Sequence, residues 1–170
     1  MPYTEPTTRT TGELITASIW NTDIVNNIAA LKTPPSDSYI ANEGANYSTS
    51  STSFTNVDAT DFSLDITTTG GDVMIGFYCT VLNSGTGNTY LEITKDGVAI
   101  LGDDGMMFVH SSVANIRDPL SFVFLLTGLA AGTYNFKLQW KVSASTSTMY
   151  AGAGTGAADV HPQFWAREVS

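Results

Sequence analysis

Side chains able to do covalent chemistry are few: one cysteine, two histidines and sixteen carboxylates in 170 residues. A serine hydrolase needs a serine held beside a histidine base, usually on a strained Gly-x-Ser-x-Gly turn. That turn is absent, and His110 beside Ser111 and Ser112 reads as a strand end, as His161-Pro162 reads as a strand or interface position. A glycosidase needs two acids flanking a groove. Asp58, Asp61 and Asp65 are near one another, but Asp61 and Asp65 alternate with Phe62 and Leu64, which predicts a solvated sheet face. Glu13, Glu43 and Glu92 have no motif around them. Cys79, between Phe77 and Val81, is expected to pack as a small hydrophobe. The pattern is not that of an enzyme.

Binding chemistry has more candidates. Gly102-Asp103-Asp104-Gly105 puts two carboxylates in one turn, and calcium takes hard oxygen ligands, but the twelve-residue loop with alternating acids and a terminal Glu is missing. The turn is expected to reverse the chain; only three copies meeting on an axis could make it a metal site. No metal and no cofactor are expected. A glycan would need aromatic platforms beside polar loops. Tyr47, Tyr90, Tyr150 and Trp165 are the candidates, near Asn83–Asn88 and Ala144–Ser147. Asn46-Tyr47-Ser48 matches a glycosylation sequon. Met106-Met107-Phe108 reads as adaptable packing or a contact edge. The glycine-rich run 152–158 lacks the following Lys and the strand–helix frame of a phosphate loop, and is expected to be a surface loop.

Composition narrows the classes further. Only 14% of residues are charged, against about 25% in globular proteins, while 24 Thr and 16 Ser supply the polar surface. Thr favours strands, and Gly, Asn, Asp and Ser favour turns, so an all-β protein is expected. The net charge of −9, with no basic cluster, argues against a nucleic-acid partner. No apolar run reaches the roughly 18 residues of a membrane span, and the first residues lack the pattern of a signal peptide.

The elements follow from periodicity. Residues 1–13 are polar and extended. Thr16 or Ser18 can cap a helix of about 17–31, in which Trp20, Ile24, Ile28 and Leu31 form one apolar stripe opposite Asn21, Asp23, Asn26 and Asn27; Pro34-Pro35 ends it. From Tyr39 the period becomes two: 62–66, 90–94 with a hairpin partner at 98–101 across Asp96-Gly97, 134–142 and 164–169 all alternate. About 8–10 antiparallel strands in a β-sandwich or jelly roll are expected, with an arm and helix at 1–36 and the sandwich at 37–170. Strands 72–82 and 120–126 are apolar on both faces, with Met74, Tyr78 and Leu82 opposite the core side of one, and Val123 and Leu125 opposite that of the other. Such strands are covered on both sides. The second cover is expected to be the helix or another copy of the chain. Trp20, Ile24, Ile28, Met74, Tyr78, Leu82, Val123 and Leu125 are therefore the expected oligomer and anchoring contacts.

Two segments resemble known families. Gly12-Glu13-Leu14-Ile15-Thr16-Ala17-Ser18-Ile19-Trp20-Asn21, followed by Asn26-Asn27-Ile28 and Leu31, resembles a segment near the N-terminus of many tailed-bacteriophage structural proteins, with Ile15 where Leu is common and Asn26 where Asp is common. The rest looks like the compact jelly roll of tumour-necrosis-factor and C1q-like trimers and many phage surface proteins. Gly132-Thr133-Tyr134-Asn135-Phe136-Lys137-Leu138 is similar to the "gly-x-tyr-x-phe" strand opening of that class, and the closing aromatic strand at Phe164-Trp165 is consistent with it. The resemblance implies a fold and a tendency to trimerise, and no binding residues.

These readings converge on a non-enzymatic phage virion protein, made in the host cytoplasm: a homotrimeric capsid decoration (cement) protein that stabilises the head. Its expected partners are itself and a major capsid or tail protein, without nucleic acid or membrane insertion. The alternative is a tail- or fibre-associated or glycan-binding module for host adhesion.

Overall fold

The computed structural model describes residues 5–41, 44–152 and 160–169. Its helical segment runs from α1 (Ala17–Trp20) through a π-helical stretch (Asn21–Val25) into α2 (Asn26–Lys32). Thr16 is the cap, its hydroxyl accepting the Ile19 N–H at 3.3 Å. The expected single α-helix is thus widened in its middle, where the Asn26 N–H bonds to the Asn21 carbonyl.

Twelve strands follow among the described residues: β1 (Ser36–Ile40), β2 (Tyr47–Thr49), β3 (Thr55–Asn56), β4 (Ser63–Thr68), β5 (Gly71–Asn83), β6 (Gly87–Lys95), β7 (Val98–Ala99), β8 (Met107–Ser111), β9 (Arg117–Leu129), β10 (Gly132–Val142), β11 (Ser147–Met149) and β12 (Gln163–Glu168). The number exceeds the 8–10 expected because β2, β3, β7 and β11 have two or three residues each, too few to show an alternation. Asp96 and Gly97 both take positive φ, 52° and 83°, as the two-residue hairpin between β6 and β7 demands.

The strands form two antiparallel sheets. In the first, β9 runs along the whole of one edge of β5, while β12 and then β11 share the other; β1 lies outside β12 and β2 outside β11. In the second, β10 is flanked by β6 on one side and by β4 and β3 on the other, and β8 and β7 continue beyond β6. Counting only the eight strands of five or more residues, in chain order, the sheets read 1-8-3-6 and 2-7-4-5. Early strands pair with late ones in both sheets, which is the wrapping of a jelly roll. The fold is an all-β sandwich with one N-terminal helix.

Between the sheets lies one core: Phe62, Leu64 and Ile66 meet Val73, Ile75, Phe77 and Val81 from β5, Leu91 and Ile93 from β6, Phe136, Leu138 and Trp140 from β10, and Phe164 from β12. Each of these side chains contributes about 1.5–3 kcal/mol by leaving water. Phe62 is edge-on to Tyr39, Tyr47 and Phe77, at centroid distances of 5.3, 5.2 and 6.0 Å. Core positions alternate along every long strand, so the outward-facing residues are fixed by the same periodicity.

Candidate functional site

The outer face of the first sheet is a grid set by strand register. Across β1, β12, β5 and β9, one rung is Ser36–Arg167–Met74–Leu125, the next Ser38–Trp165–Gly76–Val123, and the third Ile40–Gln163–Tyr78–Ser121. Val123 is 63% exposed and Leu125 47%, while Trp165 is half-buried over Gly76. Of the expected contact residues, Met74, Tyr78, Val123 and Leu125 are thereby brought together; Leu82 is on the same face of β5, opposite Arg117. β9 forms the border of this face, since no strand among the described residues pairs with its far edge.

The helix does not cover the grid. Trp20, Ile24, Ile28 and Leu31 are all exposed, Leu31 by 68%. Its polar side meets the N-terminal arm: Asp23 takes the Arg9 guanidinium at 3.0 Å, and Asn27 is buried, its amide donating to the Asp23 carbonyl at 3.1 Å. An amphipathic helix that packs in its own chain turns its apolar stripe to the core. Here the stripe is left exposed. Only the helix end approaches the sheet, where Ala30, Leu31, Pro34, Met74 and Trp165 line a groove of about 430 Å³.

The candidate glycan aromatics are at four separate places. Tyr47 is part of the core edge: its hydroxyl donates to Asp61 Oδ2 at 2.7 Å and meets Tyr39 Oη at 3.4 Å, and burial together with these bonds raises its pKa. Tyr150 lies beneath the Arg117 guanidinium, 4.3 Å from the ring centre. Trp165 belongs to the apolar grid. Tyr90 is on the outer face of the second sheet, against Phe108 at 5.7 Å and bonded through its hydroxyl to Asn88 Nδ2 at 2.8 Å. That Asn88, Phe108 and His110 gather around Tyr90 was not legible in the sequence, because their proximity depends on the β6–β8 register.

The carboxylates are dispersed. Asp58 accepts the N–H groups of Thr60 and Asp61, at 2.7 and 3.0 Å, and Asp65 accepts from Asn135 at 2.8 Å. Asp61 is a hydrogen-bond acceptor for Tyr47 and not the purely solvated group its alternation suggested. Asp103 contributes its backbone carbonyl to Lys141 Nζ, at 2.8 Å. Among the described residues, no three His, Cys, Asp or Glu side chains come close enough to hold a metal ion. Burial pushes the Cys79 thiol up, and His161 Nδ1 bonds the Ala41 carbonyl at 3.0 Å. The sequon residue Asn46 accepts the Ala151 N–H at 3.0 Å. Glu43 and residues 153–158 of the glycine-rich run lie outside the described residues. No helix among the described residues is long and apolar enough to cross a membrane.

No family model matches the chain, and no curated protein matches it. Among solved structures it is similar to Eiger TNF from S. frugiperda, at 13% identity over 81% of this chain and 94% of that one, with a TM-score of 0.43. It is also similar to dimeric latent PorU from Porphyromonas gingivalis, at 8% identity over 80% of this chain and 13% of that one, TM-score 0.37. A third is infectious bursal disease virus, Gx strain, at 16% identity over 78% of this chain and 36% of that one, TM-score 0.37. At these scores the likeness adds nothing to the sheet topology on which the jelly-roll assignment rests.

Proposed function

We propose that this chain is a non-enzymatic structural protein of a tailed-bacteriophage virion, a homotrimeric capsid decoration protein that stabilises the head. The observation that carries the self-association is the double exposure of apolar surface. Trp20, Ile24, Ile28 and Leu31 of the helix stripe are exposed, and so are Tyr78, Val123 and Leu125 of the sheet face, among the described residues. Contiguous apolar patches on both a helix and a sheet mark contact surfaces. Two different surfaces on one chain make a head-to-tail contact, which closes into a ring at a set number of copies. Three copies close it here, the stripe of each lying on the sheet of the next.

The phage context rests on the resemblance of residues 12–31 to the N-terminal segment of tailed-phage structural proteins. In this reading the arm and helix fasten the protein to a major capsid or tail protein, and several weak contacts act together. The acidic balance, net −9, keeps an abundant protein soluble before assembly and gives nucleic acid no purchase.

Light scattering behind a sizing column tests the assembly. A mass near three times 18.1 kDa is expected for the full chain, and a mass near 18.1 kDa for Val123→Glu combined with Leu125→Glu. A wild-type monomer overturns the trimer. Deleting residues 1–33 is expected to abolish binding to phage heads in a sedimentation assay; unchanged binding overturns the anchoring role of the arm and helix.

A further inference from the structure

On the outer face of the second sheet, two adjacent rungs of the β6–β8 ladder pair Tyr90 with Phe108 and Asn88 with His110. Directly opposed side chains on such a face have Cβ atoms about 5 Å apart, and neighbours along a strand about 7 Å, so the four form a compact square. Asn88 organises it. Its Nδ2 donates to Tyr90 Oη at 2.8 Å, and its Oδ1 is 2.6 Å from His110 Nδ1.

The two bonds set the remaining hydrogen-bonding senses. An amide oxygen only accepts, so the proton in the second bond belongs to His110 Nδ1. In the neutral imidazole, Nε2 then carries a lone pair and accepts. Tyr90 Oη, which accepts from the amide, keeps its own proton to donate. A single amide therefore prepares one acceptor and one donor on the same face.

Between them stands an exposed aromatic ring. Phe108 is 57% exposed, and its ring centre is held 5.7 Å from that of Tyr90. On the other side Lys141 Nζ is 5.3 Å from the Tyr90 ring centre and 4.3 Å from that of Phe54, tied to the Asp103 carbonyl at 2.8 Å. Lys141 thus occupies Tyr90 and leaves Phe108 as the open ring. In these rungs β6 is paired on both edges, by β10 and β8, while β8 pairs with β6 alone among the described residues.

We propose that this square is a carbohydrate subsite for a neutral pyranose. The apolar C–H face of the sugar stacks on Phe108, one hydroxyl accepts from Tyr90 Oη, and its vicinal neighbour donates to His110 Nε2. A sugar ring offers an apolar face edged with hydroxyls that both donate and accept, which an apolar peptide side chain or an anion does not. The subsite is on the sheet opposite the apolar grid, so it stands whether or not copies of the chain associate. Single-site affinity on an open face is weak, in the millimolar range, and an assembly carrying several copies strengthens it by avidity.

Saturation-transfer NMR on the purified full chain tests this, with methyl β-D-galactopyranoside, methyl β-D-glucopyranoside and methyl α-D-mannopyranoside each at about 10 mM, well above a millimolar dissociation constant. Transfer to the ring C–H protons of at least one of the three is expected. Phe108→Ala is expected to weaken binding by about tenfold, and Tyr90→Phe and His110→Ala by about threefold to tenfold each. Phe108 and His110 are exposed, so these variants keep the fold, checked by an unchanged melting temperature. Absence of transfer to all three sugars overturns the proposal. So does transfer that survives Phe108→Ala intact, which would place the sugar elsewhere on the molecule.

Discussion

The indole of Trp165 occupies the space that any side chain at Gly76 would need. A Cβ built on Gly76 would fall 2.6 Å from Trp165 Nε1, and the two residues are direct partners in the β5–β12 ladder. The glycine lets the indole settle onto the sheet between Met74 and Tyr78, within the apolar grid. Gly76→Ala is expected to lift the ring and cost about 1–3 kcal/mol of stability, read by denaturant unfolding. Tryptophan fluorescence should report greater exposure in the same variant. An unchanged midpoint would show that the indole finds an equally good position.

Glu168 predicts a second vulnerability. It is buried, and its carboxylate accepts the Thr69 N–H at 3.0 and 3.1 Å and the Thr69 hydroxyl at 2.9 Å, tying β12 to the turn between β4 and β5. Glu168→Ala leaves those donors without an acceptor and is expected to lose about 2–3 kcal/mol. Glu168→Gln keeps one acceptor oxygen and should lose less. Equal losses in the two variants would mean that packing, and not hydrogen bonding, accounts for the role of this residue.

Glu92 should make stability depend on pH. It is fully buried on β6, with Oε1 accepting the N–H groups of Ile93 and Leu101 at 3.0 and 3.4 Å, while Oε2 and Thr94 Oγ1 have no partner among the described residues. Burial raises its pKa above the ordinary 4.5, against the opposing backbone bonds. Between 4.5 and that raised value the folded chain holds a proton that the unfolded chain has released. Stability therefore falls as pH rises through this window. Glu92→Gln, which cannot ionise, should remove that fall and gain on the order of 1 kcal/mol at pH 7. Calorimetric melting from pH 4 to 7 checks it; a wild-type-to-variant difference that does not vary with pH would refute it.

Cys79 should be chemically silent in the native state. It is buried, 6% exposed, and burial alone pushes its thiol pKa up, so little thiolate forms at neutral pH. Labelling with a thiol-reactive disulfide is expected to be slow in buffer and fast in denaturant. Rapid labelling of the folded protein would mean that β5 opens locally beside β9.

Much of this architecture was legible before any coordinates. Alternation along 62–66, 90–94, 134–142 and 164–169, and the doubly apolar runs 72–82 and 120–126, marked long strands and much of the core, because in a strand the burial period is local. A cap at Thr16 or Ser18, of which the structure uses Thr16, Pro34-Pro35 as a stop and Asp96-Gly97 as a hairpin turn were equally local. The apolar outer faces of β5 and β9 were visible for the same reason.

The sequence by itself thus determined the class of fold, the inward and outward side of the long strands, and which two strands are apolar on both faces. What the tertiary structure alone decided was which residues meet. Trp165 reaches Gly76, Glu168 reaches Thr69, and Asn88 reaches His110 through pairings between distant parts of the chain, whose register is set by the packed core as a whole and by no local signal. The helix shows the same division. Its stripe was plain in the spacing of Trp20, Ile24, Ile28 and Leu31, but the direction it faces depends on what packs against it. Asp23 pairs with Arg9 of the arm, and the stripe is left exposed.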